Sequence, residues 1–408
     1  MDLEKANVYA DEIQQRIQTV HIGCFKGMEK PLFLISKEYP GIWLEHVYDS
    51  VFYATINPKY AYLAKNTIEV FLNSQTEEGQ FPCYIWDGNR MHIPEEKLKG
   101  YGQIQECVSF MGLCLRFCKM THDLKLMSRC YKAGCRWVSW LCKYRMTRGE
   151  GLVEMFVGYD TGHDESSRLN GMAYYRDYRV DGKIMNASVL PPEDGISPII
   201  TVDMNANFYG TLKALSEMAA VLGDTSAAAK WEAKAKEHKE KFFKLCLDPD
   251  TAWFFDVDKN GNKRPYRSST ILHLFMEHVL DPKTDRELIN RIYGEHIKNP
   301  NEFWTPYPFP SMAADDPSTK GHRDRNCWGY FSQGLIALRC TLWMDDYGFS
   351  EDFDHICKKW VEAWTDCYDQ LKFGQEIDPF TGKPSPCSEW YSSTMLFYLY
   401  AVKRLSKK

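Results

Sequence analysis

The polar run Gly158-Tyr159-Asp160-Thr161-Gly162-His163-Asp164-Glu165-Ser166-Ser167-Arg168 sets acids, hydroxyls and one arginine between two helical stretches. Gly158 and Gly162 allow backbone conformations that a side chain would forbid, which suits a loop that aims a carboxylate into a pocket. Asp164 is the acid singled out. The same residue types also build helix caps and turns, so this run by itself leaves both readings open. A second acidic run, Gly374-Gln375-Glu376-Ile377-Asp378-Pro379-Phe380-Thr381-Gly382, leads through Pro384 and Pro386 to Ser388-Glu389-Trp390-Tyr391-Ser392-Ser393. Asp378-Pro379 and Thr381-Gly382 read as turn chemistry, and Glu389 as a first-turn acid favoured by a helix dipole. Glu376 has no such structural reason. Two acids on separate loops are what glycoside hydrolysis requires, one protonating the leaving oxygen and the other activating water or attacking carbon.

A sugar site also needs rings and hydrogen-bond partners, because the C–H faces of a pyranose stack on aromatics while its hydroxyls seek polar groups. Trp43-Leu44-Glu45-His46-Val47-Tyr48-Asp49-Ser50, followed by Ser74-Gln75-Thr76-Glu77-Glu78-Gly79-Gln80-Phe81-Pro82, offers both. The candidate substrate-binding residues are Trp43, Tyr48, Asp49, Gln105, Arg168, Trp328 and Trp390. Trp43 and Tyr48 equally fit an aromatic core, and Asp49 equally fits a cap. The 12 tryptophans are compatible with either.

Composition narrows the class. The chain has 408 residues, 44% of them hydrophobic and 26% charged, enough to bury a large core. A net charge of -5, with no basic run beyond the Arg323 to Arg325 neighbourhood, gives no reason to expect nucleic acid or an anionic membrane as partner. The expected ligand is small or neutral. The first residues, Met-Asp-Leu-Glu-Lys-Ala-Asn, lack the apolar core of a signal peptide, and no apolar run reaches the ~18 residues of a membrane helix. The expectation is a cytoplasmic protein. Most of its 14 cysteines, among them Cys107, Cys114, Cys118, Cys130, Cys135 and Cys142, fall in helical patterns and read as reduced, buried thiols. No Cys-x-x-Cys pair occurs and the 11 histidines are scattered, so neither a metal site nor a cofactor is expected. Asn186-Ala187-Ser188 matches a glycosylation tripeptide, which is meaningful only after secretion.

The elements that must hold these loops are helical. Apolar periodicity predicts helices at about 4–20, 46–56, 58–75, 103–120, 124–146, 204–223, 225–246, 268–279, 283–297, 327–347, 350–371 and 389–406. Asn57-Pro58, Gly223-Asp224-Thr225 and Asp281-Pro282 punctuate them. Ala252 to Val257, before Asp258-Lys259-Asn260-Gly261, reads as one arm of a hairpin. Successive helix pairs predict an all-α, six-hairpin (α/α)6 toroid forming one domain over residues 1–408. A helical-repeat solenoid would show a fixed period of about 30 to 47 residues, and none is found. Segments 76–102, 147–203, 298–326 and 372–388 are long enough to be functional loops and should gather at one end.

The ordered motifs carry a resemblance. Gly162-His163-Asp164-Glu165-Ser166-Ser167-Arg168 resembles the Gly-x-Asp-x-Ser-x-Arg signature of trehalases and of the family of processing α-glucosidases and mannosylglycerate/glucosylglycerate hydrolases. The run from Glu376 to Gly382 resembles that family's general-base stretch. Tyr48-Asp49-Ser50, Gln75 to Pro82, Asp203-Met204-Asn205-Ala206 and Phe303 to Pro317 are similar too, in the same order over nearly the whole chain. Ile377 departs from the family by standing where it usually has tyrosine. Asn326-Cys327-Trp328-Gly329-Tyr330-Phe331 replaces a stretch that usually contains arginine and proline.

The resemblance implies the same toroid and an inverting α-glycosidase with Asp164 as general acid and Glu376 as general base. Its substrate would be a small α-linked glucoside or mannoside. In that mechanism Asp164 must hold a proton near neutral pH, which Glu165 and partial burial would favour, while Glu376 stays ionised. Two other readings use the same fold. One is a sugar epimerase or isomerase working through paired histidines such as His163 and His322. The other is a non-catalytic carbohydrate-binding relative.

Overall fold

Helices alternate along this chain between two kinds of surface. In α2 (Val47–Ile56) every residue from Val47 to Ala54 is buried, and in α10 (Gly334–Arg339) the whole helix is. Helices apolar all round belong inside. By contrast α5 (Leu124–Tyr144) carries one apolar stripe, from Leu126 through Cys130 and Trp137 to Leu141, and α7 (Thr225–Cys246) buries only Ala235, His238, Phe242 and Cys246. Such helices lie on the outside, with one face to solvent. The computed structural model describes residues 2–36, 38–172, 179–180, 183–184, 187–190, 195–319 and 328–407. Asn186, His322 and the pair Asn326-Cys327 lie outside them.

The remaining helices are α1 (Leu3–Val20), α3 (Ala61–Asn73), α4 (Phe110–Thr121), α6 (Val202–Val221), α8 (His273–Met276), α9 (Arg286–Arg291), α11 (Ser350–Asp366) and α12 (Ser392–Leu405). Contacts run from α2 to α4, α4 to α6, α6 to α8, α10 to α12 and α12 back to α2, which makes the inner ring. Helices α3, α5 and α7 pack outside α2, α4 and α6, and both α11 and α1 pack outside α12. This is the expected (α/α)6 toroid. The starts follow local chemistry: Asp2, Ser109, Asp123 and Asp224 each accept the backbone N–H three residues on, leaving fewer orphan donors in the first turn.

Several predicted elements are shorter than the periodicity implied. The span 327–347 holds only α10, because Ser332–Gln333 pairs as a strand with Glu376–Ile377 and the chain beyond Arg339 tightens into a 3-10 turn at Cys340–Leu342. The span 268–279 is a 3-10 turn followed by α8, with His278 at φ 51° just beyond its end. The hairpin at Trp253–Phe254 pairs backwards with Leu247–Asp248, while the Asp258 to Gly261 turn carries the smaller Val257–Lys263 bridge.

Every inner helix points its N-terminal end the same way. Glu45, Glu106, Asp203, His273, Gln333 and Ser392 stand at or just before those six starts, so the loops carrying the candidate acids converge there. Among the described residues no helix is long and apolar enough to cross a membrane.

Candidate active site

The loop bearing Asp164 is held rigidly at both ends. Asp160, fully buried, receives Arg145 Nη1 on Oδ2 at 2.6 Å and Nη2 on Oδ1 at 3.1 Å, and accepts the backbone N–H groups of Ile104, Phe156 and Val157. Burial pushes its carboxyl up, but Arg145 and the backbone donors outweigh this and hold it below the usual range. At the other end Arg168 donates through Nη1 to Asp256 Oδ2 at 2.6 Å and through Nη2 to Asp203 Oδ2 at 2.6 Å and Thr161 Oγ1 at 2.9 Å. Thr161 also bonds Asp203. The loop is thereby clamped to the start of α6.

Gly162, at φ 72°, sits where a Cβ would fall 2.4 Å from Cys107 Sγ and 2.9 Å from Glu45 Oε2. Only glycine fits both the backbone angle and the space. His163 is buried and stacks on Trp328, with ring centroids 4.2 Å apart and planes at 9°. Asp164, half-buried, follows, and its carbonyl accepts the Trp328 N–H at 3.2 Å. Glu165 is exposed at φ 57°, so three left-handed residues, with Gln105 at φ 50°, cluster about this turn. Non-glycine residues in that region cost roughly 1–3 kcal/mol each and persist where surrounding structure enforces them, often at functional sites.

Glu376 lies on the strand Glu376–Ile377, paired in register with Gln333. Gln333 Nε2 donates to its Oε2 at 2.6 Å and Ser385 Oγ to its Oε1 at 2.6 Å. Both oxygens accept, the arrangement of an ionised carboxylate. Tyr39 links the two acidic segments: its hydroxyl donates to Gln375 Oε1 at 2.8 Å, and burial together with the nearby Asp164 charge pushes the phenol well above its ordinary value.

A cluster of buried polar side chains surrounds Arg339. Its Nη2 is 3.6 Å from Glu45 Oε2, and its charge acts on His46, Asp49, His163, His273 and Tyr391. Arg339 Nη1 and Nη2, Gln333 Oε1, His163 Nε2 and His273 Nε2 are buried and make no hydrogen bond to the protein. Such atoms retain capacity for a polar ligand. Burial pushes Glu45 above the usual carboxylate range against the pull of Arg339, Cys107 and Gln105. It also pushes His163 well down and His273 down to about 3.

The candidate binding residues divide. Trp328 stands beside Asp164, and Gln105 donates to Glu45 Oε1 at 3.2 Å within the buried polar cluster. Trp43 is half-buried on the rim, edge-on to Tyr39 at 5.2 Å. Asp49 accepts the hydroxyls of Ser392 and Ser393 at the start of α12. Arg168 is committed to two carboxylates. Tyr48 is turned into the ring, bonding Thr341 Oγ1 at 2.5 Å. Trp390 lies away from the Asp164 cluster, against Phe373 at 5.5 Å and under Arg16 at 4.3 Å, where α1 meets the end of α11 and the start of α12. Sequence reasoning did not single out Tyr39, Glu45, Gln333, Ser385 or Arg339. Two of these carried a readable signal: Glu45, inside the aromatic and acidic run Trp43 to Ser50, and Arg339, a lone charge in the apolar run Leu335 to Leu342. Among the described residues no group of three His, Cys, Asp or Glu could hold a metal ion.

A family model for the mannosylglycerate hydrolase MGH1-like glycoside hydrolase domain matches residues 47–392. The chain belongs to this family. It is a glycoside hydrolase, and the inverting α-glycosidase class is favoured over an epimerase or a mere sugar binder. Among solved structures, the GH63 mannosylglycerate hydrolase of Thermus thermophilus in complex with Tris superposes with a TM-score of 0.71 at 13% identity, covering 97% of this chain and 99% of that one. Neutral trehalase from Saccharomyces cerevisiae gives 0.68 at 13% identity over 97% of this chain and 79% of its own. A rhamnosidase from Klebsiella oxytoca gives 0.62 at 11% identity over 99% and 64%. At such identities the likeness concerns the fold. A search of curated proteins gives no match.

Proposed function

We propose that Asp164 protonates the departing oxygen and Glu376 activates the attacking water in hydrolysis of a small α-linked gluco- or manno-configured glycoside. The observation that carries this reading is the short segment from Trp328 to Gln333. At one end its backbone N–H holds the Asp164 carbonyl, and five residues later its side chain orients Glu376. One short piece of chain thus touches both the acid loop and the base strand, which supports reading them as the two halves of one site. The polar atoms about Arg339 that make no hydrogen bond to the protein support this reading, as partners for sugar hydroxyls near that line. His163, held neutral by burial, is poorly matched to the proton shuttling of an epimerase. A mannosylglycerate hydrolase among the structural relatives supports including glycerate glycosides beside disaccharides. The free thiols of the described cysteines support a reducing, cytoplasmic setting, and the toroid supports one catalytic domain over residues 1–408.

The test is product analysis on α-glycosides including trehalose, kojibiose-type disaccharides, glucosylglycerate and mannosylglycerate. Release of a β-configured monosaccharide, followed by NMR before mutarotation, is the expected result. An α-configured product would replace inversion by retention, and interconversion without hydrolysis would replace the reading altogether.

A further inference from the structure

The rim beside Tyr39 is a three-stranded antiparallel sheet of Gly41–Trp43, Tyr84–Trp86 and Lys99–Gly100. Alternation puts Ile42 and Ile85 into the core, while Trp43, Tyr84 and Trp86 share the opposite face and are half-buried. Two glycines stand across from two of these rings. Gly41 pairs with Trp86, and a Cβ there would lie 2.9 Å from Trp86 Cε3. Gly100 pairs with Tyr84, and a Cβ there would lie 2.3 Å from Tyr84 Cζ. Both rings therefore lie over a glycine, and they touch each other at 4.6 Å with planes at 45°. Trp43 meets Trp86 at 5.0 Å with planes at 88°, which gives the floor an upright wall.

This corner joins the catalytic line. Trp43 is edge-on to Tyr39 at 5.2 Å, and Tyr39 bonds Gln375, the neighbour of Glu376. Gly41 and Gly100, at strand ends, leave room for the rings, and Trp43, Tyr84 and Trp86 each keep part of their surface in solvent. Aromatic faces carry negative charge density, which disfavours a carboxylate and suits the C–H face of an uncharged pyranose. We propose that Tyr84 and Trp86, with Trp43 as the wall, form the subsite for the leaving group, and that this leaving group is a neutral sugar ring. The preferred substrate is then an α-linked disaccharide or longer glycan, not a glycoside of a small acid. The inference rests on reading Asp164 and Glu376 as the catalytic pair.

The experiment compares three leaving groups on the glycosyl donor the enzyme accepts: fluoride, glycerate and a second hexose. Wild type should favour the hexose over glycerate by at least about tenfold in kcat/KM. Trp86→Ala and Tyr84→Ala should each lose about tenfold on the hexose substrate while fluoride turnover stays within about threefold, and Trp86→Phe should restore most of the loss. A wild-type preference for glycerate, or equal losses on all three substrates in folded variants, overturns the proposal. If wild type turns over none of the three, the catalytic reading fails instead. The subsite is then judged by calorimetric binding of an S-linked α-disaccharide, which Trp86→Ala must weaken at least about tenfold; unchanged binding overturns it.

Discussion

Gln333 and Glu376 are cross-strand partners, and the side chain of the first donates to the second at 2.6 Å. A two-residue strand inserted ahead of α10 thus serves mainly to hold one carboxylate. Removing a hydrogen bond to a charged group costs about 1.5–3 kcal/mol, so Gln333→Leu should lower kcat by roughly 10- to 100-fold with little change in KM. Glu376→Gln should abolish turnover of every substrate, fluoride included. Steady-state kinetics with circular dichroism as the folding control checks both. An unchanged kcat in Gln333→Leu would remove Gln333 from any role in orienting the base.

Arg168 belongs to the same signature as Asp164, yet its guanidinium bonds Asp203, Asp256 and Thr161. Burial pushes the Asp203 carboxyl up, and Arg168 more than offsets this, holding it well below the usual range. Arg168→Met would leave two buried carboxylates without their cation, at a cost of about 3–5 kcal/mol. The expected outcome is a clear drop in melting temperature, part of which Arg168→Lys recovers. If Tm is unchanged and only KM rises, Arg168 contacts substrate and the sugar-binding expectation stands.

Asp49 invites a pH experiment. Burial pushes its carboxyl up to about 7, against the pull of Ser392 and Ser393. An unfolded aspartate titrates near pH 3.9, so between about pH 4 and 7 the folded chain binds the extra proton. Asp49's contribution is therefore full below about pH 4 and is lost as pH rises through about 7. Burial pushes Glu106 to about 7 and Glu277 to about 8, adding to the same trend. Asp49→Asn removes one titration, so the variant should gain on wild type in thermal melts as pH rises from about 5 to 8. A stability offset that does not vary with pH would show that Asp49 titrates in the folded chain near its ordinary value.

How far the chain could be read in advance follows from what kind of information each feature needs. Helix positions were legible because the stripe on α5 and the Asp224 cap of α7 are local patterns. Asp164 and Glu376 stood out because polar, glycine-bearing loops interrupt those patterns. The short strand at Ser332–Gln333 was hidden inside an apolar run that reads equally as helix, since its pairing depends on a partner distant in sequence. Tyr39 was invisible for the same reason, and Glu45 lay within the quoted run Trp43 to Ser50 without being singled out. Tyr48 and Trp390 were read as sugar platforms because each is an aromatic beside an acid, whereas the neighbours that the structure gives them, Thr341 for one and Arg16 for the other, come from remote parts of the chain and could not be read locally.

The division of labour between the two acids is open to a sharper test. A general acid matters in proportion to how badly the leaving group needs a proton. Asp164→Asn should therefore lose about 10²- to 10⁴-fold on an unactivated α-glycoside and far less on the matching glycosyl fluoride. The activity profile against pH should also lose its alkaline limb in this variant, because that limb reports deprotonation of the acid. The competitor is Glu45. Its Oε2 lies 2.9 Å from where a Gly162 Cβ would stand, and burial raises its pKa. If Asp164→Asn hydrolyses the unactivated glycoside at close to the wild-type rate, Asp164 is not the acid. Glu45→Gln then becomes the decisive variant, and the fold would stand without the mechanism assigned to it.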